Sequence, residues 1–164
     1  MTTGATIVIL MADDDEDDIL LTQKALKQGK LLNDLYCVRD GEELLDYLFH
    51  RGNYSDAAKA PRPGVILLDL NMPRKDGREA LKEIKAHQDL KDIPIVVFTT
   101  SKAEEDIYRS YKLGVNSFIT KPVTFERLIE VMQMLGKYWF EIVTLPPEES
   151  KGVYRDTTND RSAR

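Results

Sequence analysis

Four stretches of the chain are apolar without alternation: TIVILMA (6–12), GVILLDL (64–70), IPIVVF (93–98) and NSFIT (116–120). A fifth and weaker one is DLYCVRD (34–40). Unbroken apolar runs of this length suit strands covered on both faces, as in a parallel sheet. The segments between them change to a helical period. Leu21, Ala25 and Leu26 share a helix face, as do Leu44, Leu45, Leu48 and Phe49, then Ala80, Leu81 and Ile84, then Ala103, Ile107 and Tyr111. A last set joins Leu128, Ile129, Met132, Leu135 and Trp139. Asp40 with Glu43, and Ser101 with Glu104, have the spacing of helix-starting caps. The order is βαβαβαβαβα. Five parallel strands joined through helices require helices on both faces of one sheet, an α/β doubly wound architecture.

The pattern weakens in two places. Residues 51–63 read as a long polar loop between the second helix and the third strand. Residues 146–164 hold little that could form a core and read as a polar, flexible tail, leaving 1–145 as the folded domain. A further folded module such as a helix-turn-helix is not expected in so short a remainder.

Composition narrows the function classes. The chain has 164 residues, is 42% hydrophobic and carries a net charge of −5 from 23 basic and 28 acidic side chains. No basic block marks a nucleic-acid surface. The apolar runs fall far short of the ~20 residues that span a membrane, and the N-terminus lacks the basic flank of a signal peptide. The single cysteine, Cys37, forbids an internal disulfide and reads as an inert thiol on a strand. A cytoplasmic protein is expected.

Six acidic residues stand in an unbroken row, Asp13 to Asp18, directly behind the first apolar run. In a parallel sheet all strand C-termini share one edge, where ligands of such folds bind. The first strand delivers Asp13 and Asp14 there, the third Asp69, the fourth Thr99 and the fifth Lys121 with Pro122. Acids behind a strand often only favour the positive N-terminus of the next helix, which accounts for Asp15, Glu16, Asp17 and Asp18. Asp13, Asp14 and Asp69 together repel unless a divalent cation joins them. Hard oxygen donors favour Mg²⁺, which keeps waters and accepts a phosphate oxygen. A lysine and a hydroxyl beside it complete a phosphoryl site. The rivals lack their parts. There is no P-loop and no glycine-rich dinucleotide fingerprint behind the first strand. His50 and His87 fall at helix ends with no surrounding motif. A Mg²⁺-dependent aspartyl phosphatase would want an acid where Asn71 stands. A module that only binds metal would take Mg²⁺ but not beryllofluoride.

The elements ILMADDDEDD, VILLDLNMPRKDG, PIVVFTTS and NSFITKP closely resemble the receiver domains of two-component response regulators, over about residues 5–140. The resemblance implies a flavodoxin-like (βα)5 fold with strand order 2-1-3-4-5. It implies Asp69 as phosphoacceptor, with Thr99 on a phosphoryl oxygen and Lys121 paired first with Asp69 and then with the phosphate. It implies Mg²⁺ held directly by Asp14, Asp69 and the Asn71 backbone carbonyl, with Asp13 acting through a water. Phe118 fits either a core aromatic of the fifth strand or the family's aromatic switch position. The molecule would be a switch that assists its own phosphorylation and dephosphorylation rather than an enzyme.

The acid-rich run, the extended loop after the second helix and the continuation KYWFEIVTLP (137–146) also resemble the small stand-alone receivers that partner phytochrome histidine kinases. That implies a phytochrome-linked kinase and an unknown downstream protein. It also implies a homodimer through the fourth helix, the fifth strand, the fifth helix and residues 137–146. A phosphorelay intermediate, or a chemotaxis-like receiver for another kinase, is the alternative.

Overall fold

The computed structural model describes residues 7–140, the side chains of 139 and 140 excepted. Five strands are present: β1 (Ile9–Ala12), β2 (Leu35–Val38), β3 (Val65–Leu68), β4 (Ile95–Thr99) and β5 (Ser117–Thr120). Five α-helices alternate with them: α1 (Glu16–Gln28), α2 (Gly41–Phe49), α3 (Gly77–Ala86), α4 (Glu104–Leu113) and α5 (Phe125–Leu135). A π-helical turn over Gly136–Phe140 extends α5.

All pairings are parallel, and the strand order is β2-β1-β3-β4-β5. This is the expected flavodoxin-like order. The chain starts in the interior with β1, runs outward to β2, then reverses past β1 to β3, so the switch point lies between β1 and β3. Successive residues of each central strand enter opposite cores. Leu10, Ala12, Ile66, Leu68, Ile95 and Val97 face the side covered by α2 and α3. Ile9, Met11, Val65, Leu67, Val96 and Phe98 face α1 and α5. Both faces are covered, which is why β1, β3 and β4 read as continuous apolar runs. Apart from Ala12, each such side chain contributes about 1.5–3 kcal/mol by leaving water.

The helices start where their caps dictate, with two departures from expectation. Asp15 caps α1, accepting from the amides of Asp17 and Asp18. Asp40 caps α2 and Asp76 closes a capping box on α3. Ser101 does not cap α4. The cap position is Ala103 without a side-chain bond, and the Ser101 hydroxyl donates instead to Asp106 at 2.7 Å. On α1 the buried face is Ile19, Thr22, Ala25 and Leu26, while Leu21 is 40% exposed. The buried stripe is set from Ile19, and Thr22 joins it as a polar member that an apolar pattern does not register.

Residues 51–63 are tied down, not loose. They form two short 3-10 turns, Gly52–Tyr54 and Ala57–Lys59. The Tyr47 hydroxyl donates to the Pro61 carbonyl at 2.7 Å, and His50 Nε2 donates to that of Ala60 at 2.8 Å. Tyr54 bonds Glu43, and its ring leans on Tyr47. Segment 141–164, which holds the expected tail and part of the expected dimer contact, lies outside the described residues.

Candidate functional site

The sheet ladder continues one step past the strands and fixes three side chains at its C-terminal edge. The Asp13 amide donates to the Val38 carbonyl at 3.0 Å, the Asp69 amide to Ala12 at 3.0 Å and the Lys121 amide to Thr99 at 2.8 Å. Thr99 is the last residue of β4 and fully buried. Backbone positions held by neighbouring strands leave these side chains little freedom except rotamer choice. Two glycines tighten the loop after Asp69. The Gly77 amide donates to Leu70, and that of Gly41 donates to Lys75 at 2.7 Å. A Cβ at Gly77 would stand 2.2 Å from the Asp69 carbonyl oxygen, and one at Gly41 equally close to that of Lys75.

Asp69 is the centre of the cluster. Its Oδ1 accepts from the Thr99 hydroxyl at 2.7 Å and from the Asn71 amide at 3.1 Å. Its Oδ2 accepts from Lys121 Nζ at 3.2 Å. The same ammonium lies 2.7 Å from Asp13 Oδ2 and 2.7 Å from Asp18 Oδ2. Carboxylate oxygens of Asp13, Asp14 and Asp69 all lie within 4.8 Å of one another. Asp13 and Asp69 are buried and Asp14 is exposed, so the trio opens to solvent on one side.

Burial sets the electrostatics. It pushes the Asp13 carboxyl up to about 6, and the neighbouring Lys121 and the Asp15 amide restrain the rise. Burial also works against the Lys121 charge, but its contacts with Asp13 and Asp18 outweigh that and hold the ammonium above its ordinary range. Asp13 Oδ1 bonds the Asp15 amide, while the buried Oδ2 meets Lys121 only as an ion pair off the hydrogen-bonding direction. An oxygen in that position, converging with two other carboxylates and no soft donor, suits a hard divalent cation. The donor set therefore fits a divalent metal.

The expected residues Asp13, Asp14, Asp69, Thr99 and Lys121 are thus brought together. Asn71 is beside them through its amide. Phe118 is not in the cluster. It is half-buried against the α2–α3 side of the core, and its amide donates to the Tyr111 hydroxyl at 3.1 Å. Two further participants escaped sequence reasoning. Asp18, whose acid was explained as a helix-start charge, reaches Lys121. Arg78, at the start of α3, bonds both carboxylate oxygens of Asp106 on α4, at 2.8 and 2.7 Å, and reaches the Leu70 carbonyl at 3.3 Å. An arginine close behind an aspartate cap gave no local signal, since its partner stands in another helix.

The chain matches the family model described as response regulator receiver domain over residues 9–133. It is 45% identical over 126 residues to the response regulator Rcp1 of Synechocystis sp., covering 77% of this chain and 84% of that one. The crystal structure of Mn²⁺-bound Rcp1 superposes with a TM-score of 0.78 at 44% identity, covering 86% of this chain and 99% of that chain. The phosphorylated cyanobacterial phytochrome response regulator RcpA gives a TM-score of 0.80 at 43% identity, covering 87% and 100%. The bacteriophytochrome response regulator RtBRR gives 0.69 at 39% identity, covering 90% and 88%. The parallel sheet in 2-1-3-4-5 order, the acids at its C-terminal edge and these matches lead to one conclusion: the chain belongs to the response regulator receiver domain family.

Proposed function

We propose that this protein is a phosphate-accepting switch that takes a phosphoryl group from a histidine kinase onto Asp69. The observation that carries the reading is the surroundings of one carboxylate. A hydroxyl donor holds one oxygen of Asp69, an ammonium holds the other, and two further acids converge beside it. The names of the relatives, two of them phytochrome response regulators, support a phytochrome-linked kinase as the donor.

In the proposed reaction an Asp69 oxygen attacks the phosphorus of a phosphohistidine. A P–O bond forms, the P–N bond breaks, and the imidazole leaves with the electron pair. Lys121 and Thr99 stand where they can bond the oxygens of the transferring group. Positioning and charge neutralisation are most of what phosphoryl transfer requires. Mg²⁺, bound by Asp14, Asp69 and the Asn71 carbonyl with Asp13 nearby, would supply the remaining neutralisation. Water later hydrolyses the acyl phosphate. Thr99 is then drawn to the new oxygens, and the face formed by β4, α4 and β5 shifts its population.

Output through self-association is supported by exposed apolar side chains on α4, in the loop between β5 and α5, and beyond α5. Among the described residues Tyr108 is 64% exposed, Tyr111 49%, Val123 100% and Tyr138 62%. α4 buries only Ser110. The proposed partner is a second copy through α4, β5, α5 and residues 137–146. Within that stretch the side chains of 139 and 140, and all of 141–146, lie outside the described residues.

Acetyl phosphate with Mg²⁺ tests the central reading. One phosphate per chain, labile to hydroxylamine and lost in Asp69→Asn, is the expected result. Wild-type labelling of Asp69→Asn would reject Asp69 as acceptor.

A further inference from the structure

Lys121 is more fully engaged than a single pairing with the phosphoacceptor requires. An ammonium has three N–H donors and no acceptor. Three carboxylate oxygens surround it: Asp13 Oδ2 at 2.7 Å, Asp18 Oδ2 at 2.7 Å and Asp69 Oδ2 at 3.2 Å. The lysine side chain is only 9% exposed, so water has little part in satisfying it. Asp13 and Asp69 belong to the carboxylate trio that fits a cation. Asp18 does not. It stands in the first turn of α1, its side chain 31% exposed, and its hydrogen bond to Lys121 is shorter than the one from Lys121 to Asp69.

A phosphoryl group on Asp69 brings three charged oxygens to this ammonium. Two of its donors are already directed at the Asp18 and Asp69 carboxylates, and Asp13 Oδ2 pairs with its charge, so the newcomer competes with acids already in place. Asp13 and Asp69 have a second source of compensation when a metal is bound. Asp18 has none in that trio, and it holds Lys121 by a charge-assisted bond of ordinary strong length.

We propose that Asp18 is a positioning residue that competes with the phosphoryl group on Asp69 for the Lys121 ammonium, and so biases the site toward its unphosphorylated arrangement. This deepens the reading of Asp69 as phosphoacceptor and rests on it. Asp18 acts through Lys121 and need not touch the phosphoryl group. A ligand shifts such an equilibrium by the difference in its interactions with the two arrangements, and the Asp18 contact is part of that difference.

The test is the affinity for beryllofluoride in saturating Mg²⁺, measured by titration calorimetry on wild type, Asp18→Asn and Asp17→Asn. Asp17 is the adjacent, exposed acid of the same turn and serves as the control for loss of a charge. Asp18→Asn should bind about tenfold more tightly, the weight of one charge-assisted hydrogen bond at the low end of its range. Asp17→Asn should change affinity by no more than about threefold, as a screened exposed charge. Asp18→Glu, which restores the acid, should return most of the effect. Unchanged or weaker binding by Asp18→Asn overturns the proposal, as does equal tightening by Asp17→Asn. Should Asp18→Asn fail to fold, Asp18→Ser makes the same comparison. Wild type that binds no beryllofluoride removes the phosphoacceptor reading itself; wild type that binds it while Asp18→Asn is unchanged removes only the competition.

Discussion

Thr99 and Asp69 share a hydrogen bond of 2.7 Å, made at the ends of adjacent strands and away from solvent. Parallel pairing of β3 with β4 sets the two residues at one edge. Thr99→Val keeps the shape and removes the donor. It should destabilise the protein by about 1–2 kcal/mol in urea unfolding, whereas Thr99→Ser should stay near wild type. If Thr99→Val proves as stable as wild type and still responds to beryllofluoride, the hydroxyl has neither role.

Asp13 carries the cost of a buried acid. Its carboxyl titrates near 6 in the fold against 3.8 when unperturbed. The native state therefore holds the proton more tightly, and metal-free stability should fall as pH rises from about 4 to about 6, by at most about 3 kcal/mol. Asp13→Asn should be flat across that window and more stable than wild type at pH 7 without metal. It should also gain less stability from added Mg²⁺. Thermal unfolding with and without Mg²⁺ across pH checks both signs, and a stability that rises through the window would contradict them.

Arg78 and Asp106 join the loop after Asp69 to α4. Hydrogen bonding by Arg78, and then by Ser101, holds the Asp106 carboxyl at about 2. A depressed acid contributes stability that is complete above its unfolded value near 4 and lost as pH falls toward 2. The guanidinium is 39% exposed, so solvent screening reduces the contribution to about 1 kcal/mol. Arg78→Ala should lose that amount at pH 7 and show a weaker loss of stability in acid. An acid profile identical to wild type would show that the pair is not what depresses Asp106.

Lys121→Ala retains the proposed nucleophile and every member of the carboxylate trio. Some labelling by acetyl phosphate should persist, slowed about 10- to 100-fold by loss of one charged donor. The labelled protein should fail to change its self-association. Normal coupling in this variant would deny Lys121 a part in switching.

Self-association is the fifth expectation. Sedimentation should show a dimer that beryllofluoride tightens by roughly 5- to 150-fold, the span of a coupling of about 1–3 kcal/mol. Tyr108→Glu, placing a charge on the exposed side of α4, should weaken the dimer in both states. A monomer at high micromolar concentration with and without beryllofluoride would leave the face without this partner.

The sequence carried the sheet because burial on both faces leaves no room for polar residues in β1, β3 and β4. It carried Asp13, Asp69, Thr99 and Lys121 because each stands at or just after a strand end, where register decides position. It did not carry Asp18, since an acid in the first turn of a helix has a sufficient local explanation. Nor did it reveal that Ser101 serves Asp106 rather than the start of α4, because Asp106, five residues on, lies outside the three-residue spacing that marks a cap. Leu21 was placed on the buried face by a period that Thr22 in fact completes. The restraint on residues 51–63 comes from hydroxyl and ring contacts to backbone carbonyls, which leave no periodic trace.

Gly77 and Gly41 have a consequence for how freely this chain can vary. At either position a single methyl group would collide with a main-chain carbonyl oxygen, and backbone cannot swing aside as a flexible side chain can. Any larger residue at Gly77 must push on the peptide of Asp69 itself. Around the loop of residues 69–77, drift in sequence is therefore bounded by two places with room for a hydrogen and none for a methyl group. A library of substitutions should find these positions closed even where the chemistry of phosphate is not under selection.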